Sequence, residues 1–251
     1  MRYEEYGSAD ASVILLLHGG GLGPWNYHRE VELLKDRFRV VLPVLDGHNG
    51  SDRDFTSMED AAAALIEWID AQFGGQVLLL GGLSLGGQIL VEALSQRSNL
   101  CRYALIESAL TLPMPLTAAL LRPSVALSWP LVKKRWFARA QFRSLHIDSV
   151  FFEEYFRDSA AVTRENMTAF LAANSRYSLK PGFARCEART LILAGGRESS
   201  VMQRSAELLH RTLPGSALEV LPGLRHGELS LNRPEAYAEK LLRLVSGKTD
   251  T

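Results

Sequence analysis

The stretch "GGLSLGG", residues 81–87, sets a single serine, Ser84, among glycines, directly after the apolar run "QVLLL" and directly before "QILVEALSQ". Gly82-Leu83-Ser84-Leu85-Gly86 reads G-x-S-x-G where a buried strand turns into a helix, a setting that exposes a serine as a nucleophile. The glycines suit a cramped turn, because strand and helix close up only where side chains are missing. Leu85 opens the helix, so its backbone N–H has no helical acceptor and is free to face a developing oxyanion. The stretch "LLLHGGGLGPW" offers a second donor: after His18 and Gly19, Gly20 and Gly21 leave the backbone bare enough for an N–H to reach a substrate oxygen. This loop is not a P-loop, since no G-K-[ST] follows, and Pro24 stands where the last glycine of G-x-G-x-x-G belongs. His18 is read as ordering the loop rather than exchanging protons.

A serine hydroxyl is a weak nucleophile until a base takes its proton, and the base needs an acid behind it to fix its tautomer. Six histidines compete. His226, in "LPGLRHGELSL", follows the last strand-like run and precedes a helical pattern, which puts it on a loop at the carboxyl edge where Ser84 also lies. His210 falls within the helical stretch "SAELLHRTL", and His28 and His146 have no comparable setting. Two acids are placed to reach the imidazole: Glu198, in "LILAGGRESSVM", on the loop after a strand, and Glu107, at the end of "RYALIE".

The elements that must position these groups are legible as punctuation. Apolar runs at 12–17, 38–43, 76–81, 102–107, 189–195 and 217–222 end in Gly, Pro or acidic residues. Their continuous apolarity predicts strands covered on both faces, as in a parallel sheet flanked by helices. Between them, "SMEDAAAALIEWIDAQF" opens on a capping Ser57 with acids in its first turn, and 234–245 places Ala238, Leu241, Leu242 and Val245 on one helical face. The alternation predicts an α/β fold, a doubly wound and mostly parallel sheet. It breaks once. From 111 to 185 no strand pattern appears; a Pro-rich stretch, "TLPMPLTAALLRPSVALSWP", precedes helical patterns such as "ENMTAFLAANS". The expected division is a core of 1–110 and 186–251 with a helical lid at 111–185, and a frayed end at "SGKTDT".

Bulk composition narrows the function. In 251 residues, 28 Lys plus Arg balance 28 Asp plus Glu, so no whole-chain field draws nucleic acid or an anionic membrane. "WPLVKKRWFARAQFR", with Trp129, Trp136 and five cations, is accordingly read as a solvated amphipathic helix rather than a nucleic-acid or stable membrane contact. Cys101 and Cys186 lie far apart and suggest neither a disulfide framework nor a zinc site. With no apolar leader in "MRYEEYGSAD", the chain reads as cytoplasmic, with a small molecule as its partner.

Taken together, "HGGG", "PVLDGHNGS", "GLSLGG", "GGRES" and "PGLRHG" resemble the α/β-hydrolase superfamily across nearly the whole core. In the second motif Val44 and Asn49 depart from the family's usual Asp and Gly, which touches a structural turn. The resemblance implies the chain order nucleophile, acid, histidine, which favours Glu198 over Glu107, with Glu in place of the commoner Asp. It also implies that an outer strand is missing before the first buried one, since only "MRYEEYG" precedes it. The implied activity is hydrolysis of a carboxylic ester or related small acyl compound by a Ser84-His226-Glu198 triad through an acyl-enzyme, with Leu85 and Gly20 or Gly21 as oxyanion donors and no cofactor or metal. Leu83, Leu112 and Phe152 are expected to line the substrate pocket, with Leu116, Phe151 and Phe156 beside them. Alternatives with the same residues are a C–C hydrolase, lactonase, thioesterase or haloperoxidase-like enzyme, or a non-catalytic ligand-binding receptor.

Overall fold

The computed structural model describes residues 1–247. Seven strands form one sheet in the order β1-β3-β2-β4-β5-β6-β7. They are β1 (Tyr3–Tyr6), β2 (Val13–Leu17), β3 (Arg39–Pro43), β4 (Val77–Leu83), β5 (Cys101–Glu107), β6 (Arg189–Gly195) and β7 (Ala217–Leu221). All pairs are parallel except β1 with β3. The antiparallel edge strand β1 lies within the first seven residues, where no strand was expected. Its residues alternate exposed with half-buried, because successive side chains point to opposite faces of the sheet.

Successive side chains of the central strands point to opposite faces. Leu15, Leu17, Leu80, Ala104 and Ile106 pack against α2 (Met58–Phe73), α3 (Leu85–Gln96) and α8 (Ser200–Thr212). Ile14, Leu16, Leu79 and Leu105 pack against α1 (His28–Leu34) and α10 (Pro234–Ser246). Ser57 caps α2, its hydroxyl accepting the Asp60 N–H at 3.0 Å. At the other end of the chain Ser246 still belongs to α10 and Gly247 closes it in the left-handed region, so the expected fraying does not begin there; 248–251 lie outside the described residues.

Register fixes where the chemistry gathers. Leu17 is level with Gly82, Leu83 with Glu107, Glu107 with Leu193, and Gly195 with Leu221. The loops leaving β2, β4, β5, β6 and β7 therefore emerge at one carboxyl edge, the rule for ligand sites in open α/β sheets.

Between β5 and β6 the chain makes a helical excursion: α4 (Pro115–Val132), α5 (Arg135–Ser144), α6 (Phe152–Ala161) and α7 (Arg164–Arg176). α4 runs through the Pro-rich stretch and contains Pro123 and Pro130. A proline inside a helix deprives the carbonyl four residues earlier of its donor. Those residues are Ala119 and Ala126, both exposed, where solvent can replace the missing N–H. Ser124 Oγ also donates to the Leu120 carbonyl at 2.7 Å, within the same turn. One buried carboxylate ties the excursion to the core: Asp158 of α6 accepts from Trp25 Nε1 at 2.9 Å, Asn49 Nδ2 at 2.8 Å and Arg157 Nε at 2.7 Å.

Candidate active site

Ser84 follows β4 directly, with φ 53° and ψ −112°. A side chain in this left-handed region costs about 1–3 kcal/mol and persists only where its surroundings hold it there. Two glycines make the turn possible. A Cβ on Gly86 would come 2.6 Å from the His18 carbonyl oxygen, and one on Gly82 would come 2.6 Å from the Gly86 carbonyl oxygen. The Ser84 N–H donates to the Glu107 carbonyl at 2.9 Å, and the Ser84 carbonyl accepts the Gln88 N–H at 2.9 Å. Backbone on both sides is thereby fixed.

His226 sits on the loop between β7 and α9 (Glu228–Asn232). Gly227, at φ 65°, turns the chain, and its N–H donates to Ser108 Oγ at 3.3 Å. Ser108 is itself a non-glycine residue at φ 55°, directly after β5. The imidazole reaches both partners: Nε2 lies 2.9 Å from Ser84 Oγ, and Nδ1 lies 2.8 Å from Glu198 Oε1. The second oxygen, Glu198 Oε2, accepts the Gly195 N–H at 3.3 Å. An ionised carboxylate only accepts, so Nδ1 carries the proton and Nε2 accepts from the serine hydroxyl. The Glu198 side chain is 1% exposed and that of His226 46%, so the acid is dry while the base faces water.

Glu107 makes no hydrogen bond to the imidazole. Its carboxyl turns the other way, where Oε1 accepts the Ser230 N–H at 3.3 Å at the start of α9, and burial pushes its pKa up to about 7 against the pull of Ser230 and His226. Of the two acids weighed from the sequence, the structure brings Glu198 to His226 and Glu107 to the backbone behind it. The Glu107 carboxyl lies buried near Tyr237 and Glu30, whose charges and burial act on one another.

The glycine loop is ordered by two buried histidines. The Leu45 N–H donates to His18 Nε2 at 3.2 Å, and His18 Nδ1 bonds the Gly19 carbonyl at 2.9 Å. The Gly21 N–H donates to His48 Nε2 at 2.9 Å, and His48 Nδ1 bonds the Asp46 carbonyl at 3.0 Å. Each Nε2 accepts an amide proton, so each ring is neutral with its proton on Nδ1. Burial lowers the His18 pKa to about 3 and that of His48 to about 4, in keeping with neutral rings. One expectation changes as a result. Gly21, read as an alternative oxyanion donor, has its N–H committed to His48. Gly20 is exposed and lies against Leu85, where a Cβ would meet the Leu85 Cβ at 3.4 Å, so these two backbones flank the same space.

The residues expected to line a substrate pocket are dispersed. Leu83 is 2% exposed and wedged between Gly19 and Gly227, supporting both loops from below. Leu112 borders a surface depression with Pro113, Leu179 and Leu208 that includes none of Ser84, Glu198 or His226. Phe152 packs against Phe142 and Phe156 beneath Arg135 and Arg139, inside the α5–α6 pair. Side-chain direction on an inserted helix depends on its packing, which the sequence does not display. Sequence reading also passed over the Ser108 hydroxyl that steadies the His226 loop; its signal was a polar residue at the carboxyl end of a buried strand. The other histidines serve locally, His28 paired with Glu4 at 2.7 Å and His210 with Ser216 at 3.0 Å. Among the described residues no group of three or more His, Cys, Asp or Glu side chains is arranged to hold a metal ion, and Cys101 and Cys186 are free and buried.

The fold has many structural counterparts. An esterase from Exiguobacterium antarcticum superposes with a TM-score of 0.82 at 19% identity, covering 97% of this chain and 94% of that one. A thermophilic esterase from Thermogutta terrifontis gives 0.80 at 18%, covering 98% and 93%. An enol-lactonase from Burkholderia xenovorans gives 0.77 at 16%, covering 98% and 96%. At such identities the likeness is one of fold. The model of the alpha/beta hydrolase family matches residues 14–240, nearly the whole described chain. With that match, on a mostly parallel sheet whose loops meet at one carboxyl edge, the chain belongs to the alpha/beta hydrolase family.

Proposed function

We propose that the protein is a serine hydrolase acting on a carboxylic ester or related small acyl compound through an acyl-enzyme. The observation that carries this reading is the continuous chain from Ser84 Oγ through the His226 imidazole to Glu198, with contacts of 2.9 and 2.8 Å. His226 Nε2 takes the serine proton as Oγ attacks the carbonyl carbon, and Glu198 stabilises the imidazolium that forms. The N–H groups of Gly20 and Leu85 receive the oxyanion. The imidazolium then protonates the leaving alcohol, leaving the acyl group on Ser84. Water attacks with His226 as base, and the tetrahedral intermediate collapses to free acid and serine. The excursion at 111–185 acts as a lid over this edge, held to the core by Asp158.

The test is turnover of p-nitrophenyl esters of graded acyl length, together with labelling by a fluorophosphonate. Wild-type protein is expected to hydrolyse short esters and to be labelled once, and Ser84→Ala to do neither. Equal activity in both proteins discards Ser84 as nucleophile. Turnover of a vinylogous diketone but no ester would assign a C–C hydrolase, and a folded protein inert to both substrate and probe would assign a binding role.

A further inference from the structure

The helical excursion carries an exposed face that the proposed lid role does not explain. α4 packs inward along Ala118, Val125 and Val132, two turns apart on one side. Its opposite side, at the three- and four-residue spacing of a single helical stripe, is apolar and open: Leu116 is 73% exposed, Leu120 54% and Leu127 83%, interleaved with Pro123 and Pro130. Soluble monomers seldom expose a contiguous apolar face of this kind without a partner for it.

The charge around the stripe indicates the partner. Residues 108–147 contain no Asp or Glu and six cations, Arg122, Lys133, Lys134, Arg135, Arg139 and Arg143, in a chain whose totals balance at 28 and 28. Arg135 pairs with Glu153. Arg139 lies over the Phe152 ring, Arg122 borders a depression beside Glu59 and Ala173, and among the described residues Lys133, Lys134 and Arg143 form no ion pair. Trp136, 64% exposed at the start of α5, stands among them. An exposed apolar stripe, an amphipathic aromatic ring and unpaired cations on adjoining helices are the three ingredients of adsorption to an anionic lipid surface. A second copy of the chain fits less well, because this segment has no acidic residue to meet its own cations. No helix among the described residues is long and apolar enough to cross a membrane, so any attachment through α4 and α5 is peripheral.

We infer that the outer faces of α4 and α5 form a peripheral docking surface for anionic lipid, on which the protein adsorbs reversibly. The inference is independent of the chemistry at Ser84 and is tested by binding alone. The full-length protein is sedimented with vesicles of phosphatidylcholine, with or without phosphatidylglycerol, while Trp136 fluorescence is followed. Binding is expected only with phosphatidylglycerol, with a blue shift that Trp136→Phe abolishes and that added salt weakens. Lys133→Gln with Lys134→Gln should weaken partitioning about 25-fold, at about fivefold per cation. Leu120→Ser with Leu127→Ser should weaken it as well, while hydrolysis of a soluble ester stays at the wild-type level. No binding to anionic vesicles overturns the inference. So does binding that the leucine substitutions leave unchanged, which assigns the cations to a polyanion, and so does concentration-dependent dimerisation that those substitutions abolish, which assigns the stripe to a second copy.

Discussion

Replacing Glu198 by glutamine tests the proposed mechanism at its most demanding contact, because both carboxylate oxygens are engaged and the amide has only one oxygen to offer. In the native protein Oε1 receives His226 Nδ1 at 2.8 Å and Oε2 receives the Gly195 N–H at 3.3 Å. If the amide oxygen stays on Gly195, the amide NH2 faces Nδ1, the imidazole proton moves to Nε2, and Nε2 can no longer accept from Ser84. If the amide turns over, its NH2 meets the Gly195 N–H donor to donor in a pocket where the side chain is 1% exposed, a clash of about 1–3 kcal/mol. The non-productive tautomer is therefore favoured by that amount, and the carboxylate that would stabilise the imidazolium is gone in either case. Together these should lower kcat by about 10³–10⁴, or 4–5.5 kcal/mol of transition-state stabilisation, with little change in fold. The assay is kcat and KM on a p-nitrophenyl ester across pH, with the rate of fluorophosphonate labelling and a thermal melt on the same samples. A Glu198→Gln enzyme within about tenfold of wild type, equivalent to 1.4 kcal/mol, beside a Glu107→Gln enzyme that loses more, would refute the assignment.

Glu107→Gln should instead leave kcat within about tenfold and change how stability depends on pH. Its carboxyl is raised from the ordinary 4.5 to about 7, so the stability it contributes is full below pH 4.5 and is lost as pH rises through 7, about 3 kcal/mol in all. Urea unfolding should thus show the variant gaining on wild type between pH 4.5 and 8, and a difference flat in pH would contradict the burial argument. His48→Phe runs the other way: the native ring is lowered from 6.5 to about 4, so its contribution is full above pH 6.5 and is lost as pH falls through 4. The advantage of wild type over His48→Phe should shrink by about 3 kcal/mol across that interval, and ester hydrolysis at neutral pH should drop because the Gly21 N–H loses its acceptor; unchanged kinetics would detach this loop from catalysis. Gly86→Ala should destabilise by about 2–4 kcal/mol or prevent folding, since the new methyl would sit 2.6 Å from the His18 carbonyl oxygen, and a variant with wild-type melting temperature would show that the elbow can relax.

How much of this was legible before any coordinates depended on how local the signal was. The turn at Ser84 announced itself because the apolar run, the glycines and the helical pattern adjoin in sequence. Glu198 and His226 could be placed at the same edge as Ser84 because each follows a strand, and parallel strands deliver their exits to one edge. β1 went unread because Tyr3–Tyr6 has a neighbour on one side only and so lacks a continuous apolar signature. α4 went unread because Pro123 and Pro130 normally end a helix, and only their solvent-facing position makes them tolerable. The commitment of Gly21 to His48, and the turning of Glu107 toward Ser230 rather than His226, are contacts between distant parts of the chain that no spacing encodes. The packing of Phe152 against Phe142 and Phe156, and the position of Leu112 beside Pro113 and Leu179, are contacts of the same kind.

The half-open imidazole of His226 has a consequence for the fate of the acyl group. On the proposed acyl-enzyme route, a base whose side chain is 46% exposed would let the second half of the cycle draw its nucleophile from bulk solvent without a relay. An alcohol or amine competing to receive the acyl group would have to outnumber water at that open face, and the protein would therefore release free acids far more readily than it would pass acyl groups to another acceptor.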